Sequence, residues 1–297
     1  MPLPVLSVLF VRLHSGGSRR LSSGNGRQVR RTEDYGRNHG AGYHGDRGGG
    51  QYLFSPEGYF VGRAFVTGEQ IVHRVPVLLP VEALGRCHVS AWTNAGAGQL
   101  FHSPAQGSGI EERAVSLIEG EDAFHGTPDD LFFGHARLAP VGAAGPEVIT
   151  LARKNARMRI TVRGLDRRIP EDRYYLTVEI PNDGYDFVGN PTAGTARVRR
   201  TGAFRDNGDF STDEAFNLIH TDPAVSPAGG VTVNLYEKAL GRSADRLIAS
   251  VTDDDGRPIS LPAGRTVNLL IDLNEGEGLS VYTEITPWDE IYQWDIW

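Results

Sequence analysis

From Gln51 onward, apolar residues come in short runs that alternate with polar ones or cluster as β-branched groups. Glycine, proline, aspartate or asparagine closes each run. A period of two over four to eight residues marks a strand with one buried face. "YLF" and "YFVGRAFV" flank "SPEG", a proline-glycine turn that predicts a hairpin. "IVHRVPVLLP" and "CHVSAWTN" predict the next strands, and "DLFFGHARLAP" another after a long loop. "EVITLARKNARMRITVRGL" is too long for one strand and polar at "RKNA", which places a strand break and a domain boundary near Lys154. "RYYLTVEIP", "TARVRR", "VTVNLYEKAL", "DRLIASV", "RTVNLLIDL" and "LSVYTEI" repeat the style in the second half. Helical spacing is scarce; only Ile110 to Phe124 and "DEAFNLIH" are allowed a turn or two.

The pattern predicts an all-β chain of two tandem β-sandwiches, 51–154 and 155–297, a division that 297 residues can support. Residues 1–50 stand apart. From Ser15 to Gly50 the chain is glycine, arginine, serine and histidine with almost no aliphatic side chain, and cannot build a core. "MPLPVLSVLFVRL" lacks the basic start and small-residue cleavage site of a secretory leader. The abrupt change at Gln51 predicts that 1–50 is disordered or a mistranslated stretch.

Composition narrows the function. Residues 1–50 hold 8 of the 30 Lys and Arg but 3 of the 37 Asp and Glu, which leaves 22 basic against 34 acidic residues beyond them, a formal −12. An acidic body without a basic stripe argues against a nucleic-acid partner. The single cysteine, Cys87, excludes an internal disulfide and any cysteine-clustered metal site, and in the alternating "RCHVSAW" it reads as an inert, half-buried thiol. No apolar run approaches the length of a membrane-spanning helix.

Catalytic signatures are missing. The nine histidines show no HExxH spacing, and there is no GxSxG elbow, phosphate loop or dinucleotide fingerprint. Paired carboxylates such as Asp129-Asp130 and Glu111-Glu112 fit an acidic surface, although a hydrolase on a sandwich scaffold would need only two of them facing across a cleft. "TDDDGRPI" lacks the ligand spacing of a calcium loop and predicts an Asp-Gly hairpin turn. No enzyme activity, cofactor or metal is therefore expected. "TNAG" (Thr93 to Gly96) and "NDGYDFVG" (Asn182 to Gly189) could be ligand-touching loop tips or simple turns.

The order of the segments "YLFSPEGYFVGRAF", "CHVSAWTNAG", "DDLFFGHARL", "VITLARKNARMRITVRGL", "YYLTVEIPNDGYDFVGNP", "RLIASVTDDDGRPISLP" and "EITPWDEI" resembles the FimB/Mfa-type fimbrial anchor and accessory family of Bacteroidales, over roughly Gln51 to Trp297. The resemblance implies two transthyretin-like β-sandwiches and a non-enzymatic, outer-membrane-associated type V pilus component. It also implies partners among other fimbrial subunits, reached by strand addition or exchange, and a lipid anchor on a cysteine after the leader. Cys87 lies inside a strand and cannot be that cysteine, and the first strand that the resemblance implies is missing from 1–50, so the anchor depends on a true leader being restored upstream. Arg19-Arg20 and Arg30-Arg31 match, in type only, the arginine-specific processing of this pilus class. The alternative is a stand-alone secreted adhesin or carbohydrate-binding sandwich.

The tail "ITPWDEIYQWDIW" holds three of the four tryptophans. As a strand it would put Tyr292, Trp294 and Ile296 on one face and Ile291, Gln293, Asp295 and Trp297 on the other. An unbroken apolar face suits a strand donated to a partner; equally, the tail could cover its own domain. Trp288, after Pro287, is expected to plug the core. Trp288, Ile291, Tyr292, Trp294, Ile296 and Trp297 are the candidate site residues.

Overall fold

The structure is a computed structural model. It describes the backbone of residues 6–13, and residues 49–80, 86–94, 96, 98–120, 122–138, 147–221, 230–241, 243–273, 278–288, 290, 292 and 294. Strands of the first half are β1 (Leu6–Leu13), β2 (Gly49–Phe54), β3 (Phe60–Val66), β4 (Val77–Pro80), β5 (Cys87–Thr93), β6 (Gln99–Phe101), β7 (Arg113–Leu117), β8 (Phe132–Leu138) and β9 (Glu147–Arg153). One short helix, α1 (Gly68–Val72), lies between β3 and β4. The second half holds β10 (Asn155–Arg163), β11 (Tyr174–Ile180), β12 (Gly184–Asp186), β13 (Ala196–Arg200), β14 (Gly202–Phe204), β15 (Phe210–Thr212), β16 (Phe216–Ile219), β17 (Thr232–Glu237), β18 (Arg246–Val251), β19 (Asp253–Asp254), β20 (Arg257–Pro258), β21 (Arg265–Asp272) and β22 (Ser280–Pro287).

In the first half the strand order is β3-β2-β5-β8-β9-β1-β4. β8 and β9 share only the pairs Phe132 with Arg153 and Phe133 with Ala152 before they separate. The two strands at the ends of the order, β3 and β4, touch. β9-β1-β4 therefore folds over β3-β2-β5-β8, and Leu53, Val66, Leu79, Val89, Ile149 and Leu151 fill the space between as one buried cluster. A third layer, β12-β7-β6, covers the opposite face of β3-β2-β5-β8. There Tyr52, Phe54 and Trp92 meet Val115, Tyr185 and Phe187. β12 lies beyond Lys154 in sequence and pairs with β7, so the second half of the chain supplies part of the cover of the first sandwich.

The second sandwich packs β14-β15-β10-β21-β22, with β16 also on β10, against β13-β11-β17-β18. β10 shows the alternation most cleanly: Ala156, Met158, Ile160 and Val162 are fully buried, while Arg157, Arg159, Thr161 and Arg163 point the other way. β10 runs parallel to β21, and Val267, Leu269 and Ile271 continue the same core. The Asp-Gly turn forms as expected, with Asp255 at φ +52° and Gly256 at φ +76° between β19 and β20, the two positive values a type I′ turn requires.

Several expectations are corrected. Residues 6–13 form β1, so the segment thought to lack a strand supplies one, parallel to β9 and antiparallel to β4. "LSVLFVRL" is weak evidence alone; its partners lie at residues 77–80 and 147–151, and pairing on both edges is what makes it a strand. Residues 14–48, assigned to the same disordered or mistranslated segment, lie outside the described residues. "IVHR" is no strand either. Thr67 and Gln70 make a capping box, each side chain accepting from the other's backbone N–H, and α1 follows, with Ile71 buried. Thr67→Ala should cost about 1 kcal/mol of stability in a denaturant titration.

The two stretches allowed helical turns instead form strands. "RAVSL" is β7, paired on both sides by β6 and β12, and "FNLI" is β16 on β10. Tertiary pairing overrides a weak local preference in both. Cys87, read as half-buried, is fully buried in the cluster between the two layers.

Candidate functional site

The aromatic tail leaves the edge strand β22 and turns back over its own sheet. On β21 the side chains facing away from the core are Thr266, Asn268, Leu270 and Asp272, and all four are buried. An outer sheet face is normally wet, so this one is covered. Trp288 begins the cover, at 9% exposure. Its carbonyl accepts from Thr266 Oγ1 at 2.9 Å and from Arg157 Nη1 at 3.3 Å. The Arg153 guanidinium lies 4.1 Å from the Trp288 ring centroid and that of Arg157 5.2 Å, so the indole is held between two cations on successive strands, β9 and β10. Arg153 is fixed in turn by a two-pronged ion pair with the buried Asp130, at 2.5 and 2.7 Å.

Beyond Trp288 the tail is tied by polar contacts. Thr286 Oγ1 donates to the Glu290 carbonyl at 2.6 Å, and the Tyr292 N–H donates to Asn268 Oδ1 at 3.3 Å. The same Asn268 amide donates through Nδ2 to Thr286 Oγ1 at 3.1 Å and to the Glu284 carbonyl. Trp294 packs on Tyr282 of β22, with ring centroids 6.4 Å apart, and edge-on against Tyr292 at 4.9 Å. Tyr292 and Trp294 thus share a side, and both are half-buried. Ile291, Ile296 and Trp297 lie outside the described residues.

Three arginines, Arg157, Arg159 and Arg163, line this face from β10. Burial, and after it the charge of Arg205, hold Arg159 below the ordinary arginine range. Arg163 is balanced by Asp209 and Asp272. The free edge of β22 is guarded as well: Asp254 Oδ2 accepts from the Thr283 backbone N–H at 3.0 Å and from Thr283 Oγ1 at 2.5 Å, which occupies a donor that an added strand would use.

Neither proposed loop tip is a tip. Thr93 and Asn94 are buried, Asn94 at φ +65° with its side-chain N–H₂ donating to the Asp130 carbonyl. Asn182, Tyr185, Asp186 and Phe187 are buried too. The polar letters that suggested a surface turn serve internal bonds there, such as Asn182 Oδ1 accepting from the Gly184 and Thr192 N–H groups. Among the described residues no three His, Cys, Asp or Glu side chains are grouped to hold a metal, and no helix is long and apolar enough to cross a membrane. The residues that hold the tail, Asp130, Arg153, Arg157 and Asn268, escaped the sequence reading. The signal that could have found one of them, Arg157, is arginine at alternate positions of β10, Arg157, Arg159 and Arg163, on the side away from the core.

A tail folded on the outer face of a C-terminal sandwich, behind a layered first sandwich, can be compared with known proteins. The profile of the fimbrillin-A associated anchor proteins Mfa1 and Mfa2 matches residues 51–294. The chain belongs to this fimbrial anchor family. The resemblance read from the segment order is thereby borne out. The fimbrial anchor protein Mfa2 from Porphyromonas gingivalis is structurally similar, with a TM-score of 0.62 at 14% identity over 97% of this chain and 100% of that one. A Bacteroides thetaiotaomicron protein proposed to bind polysaccharide gives 0.63 at 14% identity, over 84% and 91% of the two chains. A proposed adhesin from the same species gives 0.57 at 13%, over 82% and 89%. At such identities these likenesses show the fold. No curated protein sequence matches the chain. Membership of the fimbrial anchor family carries a fimbrial, cell-surface role for a structural protein.

Proposed function

We propose that the chain is a non-enzymatic anchor or accessory subunit of a type V pilus, and that it joins other pilus subunits through β-strand contacts. The observation that carries this reading is the family match over residues 51–294. Two features of the fold support the strand mechanism. β1 is joined to its neighbours along both edges, yet residues 14–48 separate it from β2, so its slot between β9 and β4 is one a partner's strand could fill by the same pairing. The tail is the second contact element. Trp288 plugs the subunit's own surface, and the stretch beyond it, with Ile291, Tyr292, Trp294, Ile296 and Trp297, would leave its own sheet, where Tyr292 and Trp294 now rest, to join the next subunit. In this reading the subunit reaches the outer membrane through an acylated leader, which metabolic labelling with an alkyne fatty acid in the native cell tests directly.

The tail is tested by ending the chain after Trp288, so that the plug is kept. The truncated subunit is expected to stay folded, with a modest loss of stability from the tail contacts of Tyr292 and Trp294, and to lose co-purification with the other fimbrial subunits. Undiminished association would remove the tail from the assembly mechanism. The second reading, a stand-alone glycan-binding adhesin, has one observation in its favour: on the edge strand β3 the Phe65 ring is 67% exposed beneath Arg63, at 5.1 Å, as a sugar-stacking ring would be. Glycan binding by a chain that joins no pilus subunit would favour it.

A further inference from the structure

β5 and β8 run antiparallel with Ser90 opposite His135 and His88 opposite Arg137. His88 and His135 are therefore diagonal neighbours on one sheet face. Their rings stack at 23° with centroids 5.4 Å apart, and His88 Nδ1 lies 3.3 Å from His135 Nε2. At that distance one imidazole donates and the other accepts. The bond survives one added proton, but a second makes both nitrogens donors and sets two cations side by side.

The turn that carries the chain out of β12 closes over this face. Gly189, at φ +88°, sits so close to the Phe133 ring that a Cβ would lie 2.4 Å from it, and Phe133 is two residues before His135 on the same side of β8. Phe187 packs on Phe54, the residue opposite His88, at 5.3 Å. The Asp186 carboxylate is already engaged: Oδ1 accepts from the Val188 and Asn190 N–H groups at 2.8 Å each, and Oδ2 from Asn190 Nδ2 at 3.0 Å. It is held in the turn and cannot swing freely to neutralise a doubly charged pair.

We propose that His88 and His135 form an acid-sensitive latch under the 184–192 turn, the segment by which the second half of the chain covers the first sandwich. The proposal goes beyond the pilus reading and does not depend on it. The charged and polar groups facing the pair are Arg137 on β8, Asp186 in the turn, and the Pro56 carbonyl, with Glu57 beside it, in the β2–β3 turn. Burial first, then Arg137, holds His88 below the ordinary histidine range of 6.5. Burial, then His88 and Arg137, does the same to His135, and Asp186 opposes them. A histidine whose folded value is depressed contributes stability that is complete above about pH 6.5 and lost as pH falls below it. Acid therefore loosens the turn and neutral pH holds it.

Amide hydrogen exchange of the full chain at pH 7.5 and pH 5.0, normalised to intrinsic rates, tests the latch. Protection of residues 184–192 should fall at least about threefold more than that of β10 and β21, and His135→Asn should abolish most of that difference. His102, lowered by burial and then Arg113, contributes with the same sign from the β6–β7 layer, so a residual slope in the variant is its share. His88→Asn is the second variant should His135→Asn fold poorly. An unchanged acid response in both variants, or two imidazoles titrating near 6.5 by NMR, overturns the proposal.

Discussion

Trp288→Ala is expected to lower the unfolding free energy by about 3 to 5 kcal/mol, the range for deleting a buried tryptophan. The loss has three parts. The indole vacates the space between the Arg153 and Arg157 guanidinium groups, and the cation–π attraction goes with it. The chain after Pro287 loses the weight that keeps its carbonyl on Thr266 and Arg157. The buried outer face of β21 then opens to water at Thr266 and Asn268. Chemical denaturation of the variant measures the effect, and a loss below about 1 kcal/mol would show that the indole is not a plug. Trp288→Phe, which keeps an aromatic face for the two arginines, should recover about half.

Asp130→Ala is expected to cost about 3 kcal/mol, the low end for breaking a buried ion pair. The Asp130 side chain is 3% exposed and that of Arg153 25%, so the arginine left behind is only partly desolvated and the loss stays below the full range. Because Arg153 joins Asp130 to Trp288, the two substitutions should not add. In a double-mutant cycle the pair is expected to lose about 1 kcal/mol less than the sum of the singles. Simple additivity would mean that Arg153 keeps its place on the indole without its carboxylate, and the ion pair would then have no part in holding the tail.

These two expectations concern side chains of which the sequence marked only one. Trp288 was legible because tryptophan after proline, near the end of a β-rich chain, has to be covered by something. Asp130 was read as half of an acidic pair on the surface, and nothing local separates it from Asp129. Its burial follows from β8 and β9 meeting at Phe132 and Phe133, which brings Arg153 to it from 23 residues away. The loops at Asn94 and Asn182 failed in the same way. Asparagine, glycine and aspartate favour turns whether the turn lies in water or in a core, and only packing says which.

The sequence by itself determined the all-β class, the hairpin at "SPEG", the strand break at Lys154, the Asp-Gly turn and the family. Each of these depends on period-two alternation, on the dihedral preferences of glycine and proline, or on the order of segments, all of which are local or linear properties of the chain. The tertiary structure alone decided that "LSVLFVRL" is a strand, that "YDFVG" crosses over to cover the first sandwich, and that Tyr292 and Trp294 lie on the outer face of β21 and β22. Those outcomes rest on contacts between residues far apart in sequence, where the energy of pairing and burial depends on what arrives opposite, and no local pattern encodes the partner.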